Sequence, residues 1–153
     1  MSGPIQVLRK LVRLSGQEWV EMVEAQAALV RAQRQMRVAP VGSLLDGARA
    51  APALGQLSRP GEHPAALRLS RAVHRAASYG LFRPLCLVRA MALQRMLDER
   101  GMTGSHIRIG VKREGAELAA HAWVEYDSLV LGDSDEHVDS YVRLADVHVS
   151  RQS

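Results

Sequence analysis

The chain has one cysteine, Cys86, and six histidines. A cysteine acts as a nucleophile only as its thiolate, so the question is what surrounds it. Cys86 follows Pro84 and heads the run Leu87, Ala90, Met91, Leu93, Met96 and Leu97, whose spacing predicts a helix closed by Gly101. In a first helical turn the unpaired backbone N–H groups and the positive end of the dipole favour thiolate over thiol. The same position also suits a small core residue, so a nucleophile needs a base beside it.

Of the histidines, only His121 lies in a strongly alternating segment, where Ala120, Ala122, Val124 and Tyr126 take one face and His121, Trp123 and Glu125 the other. An imidazole titrates near pH 6.5 and suits proton transfer at neutrality; a satisfied, partly buried strand residue is the bland alternative. A Cys–His pair works best with a third group that orients the ring. A three-residue loop at Tyr126-Asp127-Ser128 puts Asp133 opposite His121, within cross-strand reach of about 5 Å. A two-residue loop puts Ser134 there instead, and a bulge at Gly132 could repair either case. Asp135 is the reserve carboxylate. His63, His74, His106, His137 and His148 lack the paired spacing of zinc sites, so no metal or other cofactor is expected. Glu125 reads as a solvated strand residue, Trp123 as a wall, and Arg89 as part of a helix surface rather than a clamp for a substrate carboxylate. Gly101, Gly104 and Gly110 form no phosphate-binding fingerprint.

The elements that must position these groups are helices first and strands afterwards. Ile5, Leu8, Leu11 and Val12 recur at helical spacing, and a longer helix from about Gln17 to Arg37 carries Trp19, Val23, Ala27 and Val30 on one stripe. Ala39 to Glu62 is rich in Pro and Gly and reads as a linker with a short helix near Leu44–Ala50. Helix resumes at Pro64 and stops at Tyr79-Gly80. After the Cys86 helix, Ile107, Ile109 and Val111 alternate with Arg108, Gly110 and Lys112, and Leu129–Leu131 forms a third strand. The fold class is therefore α+β, the Cys86 helix packed on a small antiparallel sheet and preceded by N-terminal helices. Two parts are expected: residues 1–62, helices and linker, and residues 63–153, the catalytic domain.

At 153 residues, with 47% hydrophobic and 24% charged, the chain is long enough for one core and too balanced for disorder. A lone cysteine excludes an intramolecular disulfide framework. No signal-peptide core and no membrane span is recognisable, which predicts a cytoplasmic protein with a reduced thiol. Residues 1–80 carry 11 Lys/Arg against 5 Asp/Glu, and residues 81–153 carry 9 against 11. The basic half suits an acidic peptide or protein, or is merely a solvated helical surface. Only 4% of residues are aromatic, which argues against nucleic acid.

The run Cys86-Leu87-Val88-Arg89-Ala90-Met91-Ala92-Leu93-Gln94-Arg95-Met96-Leu97, with Ile107–Val111, His121-Ala122-Trp123-Val124-Glu125 and Gly132-Asp133, resembles the transglutaminase-like leader peptidases of lasso-peptide biosynthesis. More narrowly, it resembles the stand-alone C-terminal half of the split B protein, closely over residues 64–135 and loosely over the N-terminal helices. The resemblance implies a transglutaminase-like, papain-like core in which Cys86 is the nucleophile, His121 the general base and Asp133 its orienting carboxylate. It implies a cysteine protease that cuts a lasso precursor after a penultimate leader threonine. The implied partners are a small leader-recognition protein, which delivers the precursor, and the ATP-dependent lasso cyclase, which joins the new amino group to an Asp or Glu side chain. The family's common glycine after the His strand is Ser128 here. Two alternatives compete: another transglutaminase-fold thiol amidase or acyltransferase, and a non-catalytic scaffold binding precursor or cyclase.

Overall fold

The computed structural model describes residues 14–38 and 62–147. The expected helix at Ile5–Val12, and the stretch 39–61 with its short helix, lie outside the described residues.

Helix α1 spans Gly16–Val38, opened by a reciprocal cap. Ser15 N donates to Glu18 Oε2 at 2.9 Å, and Glu18 N donates back to Ser15 Oγ at 3.3 Å. Together with Arg75, the Ser15 N–H holds the Glu18 carboxyl below its usual range. The buried stripe is Glu21, Ala25, Ala28, Leu29 and Ala32, not the expected Trp19, Val23, Ala27 and Val30; Trp19 and Val23 are exposed. The alanines explain the difference, since small side chains let α1 lie close against the two helices that follow.

Those are α2, Glu62–Tyr79, and α3, Cys86–Asp98. Ala25, Ala28, Leu29 and Ala32 share one core with Leu69, Val73, Val88, Leu93 and Leu97. Charge fixes the approach as well: Glu21 takes Arg68 at 3.2 Å, Glu18 takes Arg75 at 3.0 Å and Glu24 takes Arg100 at 2.5 Å. Part of the basic surplus of the N-terminal half is thus used between helices. Glu21 is almost fully buried, so its pairing with Arg68 avoids the large penalty of an unpaired interior charge.

Helix α3 is built of strong helix formers and is buried on nearly every side, with Val88, Ala90–Gln94, Met96 and Leu97 enclosed. It ends where Gly101, at φ +80°, lets Met102 N turn back to Leu97 O. Strands β1 (Ser105–Glu114), β2 (Glu117–Tyr126) and β3 (Leu129–Leu131) follow, then a short helix α4 (Asp135–Asp139) and β4 (Val142–Val147). All four strands pair antiparallel in the order β3-β2-β1-β4. The architecture is α+β as expected, with a fourth strand added to the three read from the sequence. Ala122, Val124, Tyr126, Ile107 and Leu131 form the helix-facing side. No helix among the described residues is long and apolar enough to cross a membrane.

Candidate active site

Cys86 is the first residue of α3, preceded by Leu85 in extended backbone as N-cap. Leu85 has no side-chain acceptor to offer. The first helix bond runs from Arg89 N to Leu85 O at 3.1 Å, so the N–H groups ahead of Arg89 find no carbonyl within the helix. The Cys86 side chain is half-buried at this helix start.

His121 lies on β2 opposite Gly110 of β1. Its Nε2 is 2.5 Å from Asp133 Oδ2, with both side chains largely enclosed. A carboxylate oxygen only accepts, so Nε2 carries the ring proton and Nδ1 keeps the lone pair. Asp133 is held in turn by Ser134 N, which donates to Oδ1 at 2.8 Å. The hairpin that brings Asp133 here has a two-residue turn, Asp127-Ser128, and pairs Val124 with Leu131. Continued straight, that register would set Ser134 across from His121. The ladder stops at Leu131 instead, and Gly132, at φ +85°, turns the chain so that Asp133 reaches the ring. Asp135, the reserve carboxylate, begins α4.

The rest of the His121 face is closed by aromatic and charged groups. Trp123 stacks at 6.1 Å from the His121 ring, while Tyr141 lies 5.3 Å and His137 5.1 Å from it. Gly110 leaves the space this requires: a Cβ there would stand 2.8 Å from Tyr141 Cβ and 3.0 Å from the Trp123 ring. Trp123 Nε1 donates to Glu125 Oε1 at 3.1 Å, and Glu125 also takes Arg108 Nε at 2.8 Å and Arg143 Nη2 at 3.2 Å. Glu125 is therefore not the solvated strand residue expected, because two arginines and an indole enclose it. Burial pushes its carboxyl up, but the hydrogen bonds from Arg108 and Trp123 and the two positive charges outweigh this and leave it below its usual range.

Cys86 and His121 line one cavity of about 30 Å³, together with Ser70, His74, Arg89 and Trp123. That space suits a water molecule and not a side chain of any size. Among the described residues no hydrogen bond joins Sγ to the imidazole; what the two share is the cavity wall. Arg89 lines this cavity as well, where an outer helix surface was expected. Ser70, His74 and Gly132 also line an adjoining groove of about 350 Å³, which continues past Leu67, Arg71, Arg75, Val130 and Asp133. A cysteine at a helix start and an imidazole on one cavity, with a carboxylate hydrogen-bonded to Nε2 of that ring, can perform thiol acyl transfer.

The spacing arguments pointed to Cys86, His121 and Asp133 and gave no notice of Tyr141, His137 or the α2 residues of the groove. His137 had a faint signal in its place four residues beyond Asp133; Tyr141 had none. The side chains of His121, Asp133 and His137 each present a ligand atom within 4.8 Å of the others, a set able to hold a metal ion.

None of the curated proteins and none of the solved structures matches this chain. A family match does exist, from within α1 to β4, and its fold is consistent with a cysteine peptidase or an acyltransferase. With residues 19–146 matching it, the chain belongs to the transglutaminase-like superfamily.

Proposed function

We propose that this chain is a cysteine peptidase that removes the leader from a lasso-peptide precursor. Cys86 acts as nucleophile, His121 as general base and Asp133 as the carboxylate that orients it. The observation that carries the reading is the His121 Nε2–Asp133 Oδ2 bond at 2.5 Å, on a ring that shares its cavity with a helix-terminal cysteine. With the proton on Nε2, the free Nδ1 lone pair is the one available to the thiol.

His121 takes the Cys86 proton, and the thiolate attacks the scissile carbonyl carbon. The negative oxygen is stabilised by the backbone N–H groups at the head of α3. As the C–N bond breaks, the imidazolium passes its proton to the departing amine and a thioester remains. Water, deprotonated by His121, attacks that thioester, and the leader leaves as a carboxylic acid while the thiol is regenerated.

Two features favour a peptide over a small amide. The 30 Å³ cavity has no room for a whole substrate, so the scissile bond must lie across its mouth. The adjoining 350 Å³ groove then offers a seat for the chain on one side of that bond. The residues from Cys86 to Leu97 and His121 to Glu125, similar to the lasso leader peptidases, supply the particular substrate. On this reading a separate recognition protein delivers the leader, and a lasso cyclase uses the new amino terminus. All three work in the cytoplasm, where a ribosomal precursor is made and a free thiol stays reduced.

The test is mass spectrometry of a precursor incubated with the chain and its recognition protein. One cut at the leader–core junction is expected, abolished in Cys86→Ala while circular dichroism and partner binding persist. Cleavage by pure Cys86→Ala would remove the nucleophile assignment. Transfer of the acyl group to an added amine, with the precursor left whole, would favour an acyltransferase instead.

A further inference from the structure

We propose that His121, Asp133 and His137 form a binding site for a divalent transition-metal ion of the zinc class, at the Nε2 edge of the His121 ring. Asp133 Oδ2 is 2.5 Å from His121 Nε2 and 3.9 Å from His137 Nε2, and all three ligand atoms fall within 4.8 Å. Ligands about 2.0–2.1 Å from a tetrahedral zinc stand roughly 3.4 Å apart. Changes in separation of roughly 0.5–1.4 Å therefore convert the present cluster into a ligand set.

The side chain with most freedom to make that shift is His137, which is 44% exposed on the one-turn helix α4. The backbone around it is anchored, because His137 N donates to Ser134 Oγ at 3.3 Å. Tyr141 packs edge-on to the His137 ring at 5.4 Å and shields one flank, leaving the exposed flank for a water as fourth ligand. Two imidazoles and one carboxylate suit zinc and its neighbours, whereas magnesium and calcium require a shell of oxygens. No linear motif announces the set: Asp133 comes from the turn after β3, His137 from α4 and His121 from the neighbouring strand β2.

Occupancy would have a consequence that rests on the peptidase reading. A neutral imidazole has one lone pair, and a metal on Nε2 takes it, so the ring proton moves to Nδ1. The nitrogen left for the thiol is then a donor and cannot accept the Cys86 proton. Bound metal would hold the peptidase off, and a chelator would release it.

The test uses the full chain carrying Cys86→Ala, so that capture by the thiol cannot contribute, titrated with Co²⁺ by visible absorption and then displaced by Zn²⁺. One Co²⁺ per chain with a nitrogen and oxygen ligand spectrum is expected, and adding His137→Gln should weaken binding by about tenfold or more. In the Cys86-containing chain, zinc should inhibit cleavage reversibly, and His137→Gln should require about tenfold more zinc relative to its own metal-free rate. No binding by the Cys86→Ala chain, or equal affinity with and without His137, would overturn the site. Metal binding in a chain that cleaves no precursor would uphold the site and count against the peptidase reading alone.

Discussion

At the scale of single residues, the arrangement turns on which carboxylate holds His121. Asp133 places Oδ2 on Nε2 and is itself fixed by the Ser134 N–H, whereas Asp135 opens α4, where a negative charge favours the helix start. Asp133→Asn should therefore lower cleavage by about 10⁴-fold, the effect of amidating the orienting Asp in a serine-protease triad. Asp135→Asn removes only a helix-end interaction of about 0.3–1 kcal/mol and should leave the rate nearly intact. Steady-state rates of the two variants check this, and the reverse ranking would move the orienting role to Asp135. The positions of Cys86, His121 and Asp133 were legible because each sits where local pattern is strong: a helix start, an alternating strand, a Gly-Asp turn. The enclosure of Glu125 was not legible. Arg143 reaches it from β4, a strand that the sequence pattern did not announce.

At the scale of elements, the β2–β3 hairpin carries His121 on one arm and Asp133 just beyond the other. Its turn residues Asp127 and Ser128 adopt φ 47° and 66°, the left-handed pair of a two-residue turn that favours Asp-Gly over Asp-Ser. The turn is tied down from outside, since His63 Nε2 lies 3.0 Å from Asp127 Oδ2. A Cβ in the left-handed region costs about 1–2 kcal/mol, so Ser128→Gly should stabilise the protein by about 1 kcal/mol. For a chain of this length that raises Tm by about 2–4 °C, measurable by calorimetry. A lower Tm would mean that the Ser128 side chain makes a contact worth more than the strain it carries. Loop length was the ambiguous step in reading the hairpin, because one residue changes every pairing, and Asp-Ser does not declare a tight turn as Asp-Gly would. The stripe of α1 was obscured for another reason: alanines chosen for close approach carry little hydrophobic signal beside Trp19 and Val23.

At the scale of the whole molecule, α3 and α2 cover one face of the sheet with α1 packed against those two helices, and Glu125 with Arg108, Arg143 and Trp123 braces the other face. The α+β class followed from the change of period between Leu97 and Ile107, a signal that needs no knowledge of contacts. How the faces are held together lay in pairings between residues far apart in sequence. Glu125 links that bracing to stability. Its carboxyl titrates below its ordinary value of 4.5 in the folded protein, so its contribution is fully present above that value and is lost as pH falls through the lowered one. Near neutrality Glu125→Gln removes the carboxylate that Arg108 and Arg143 share in a largely enclosed site and should destabilise the fold by about 1–3 kcal/mol. At about pH 3, approaching the range where a paired carboxylate becomes protonated, the native protein loses part of the same contribution while the variant has none to lose. Urea denaturation at the two pH values should therefore show the gap between native and variant narrowing in acid. A gap of equal size at both would assign the effect of the substitution to packing around Trp123 rather than to charge.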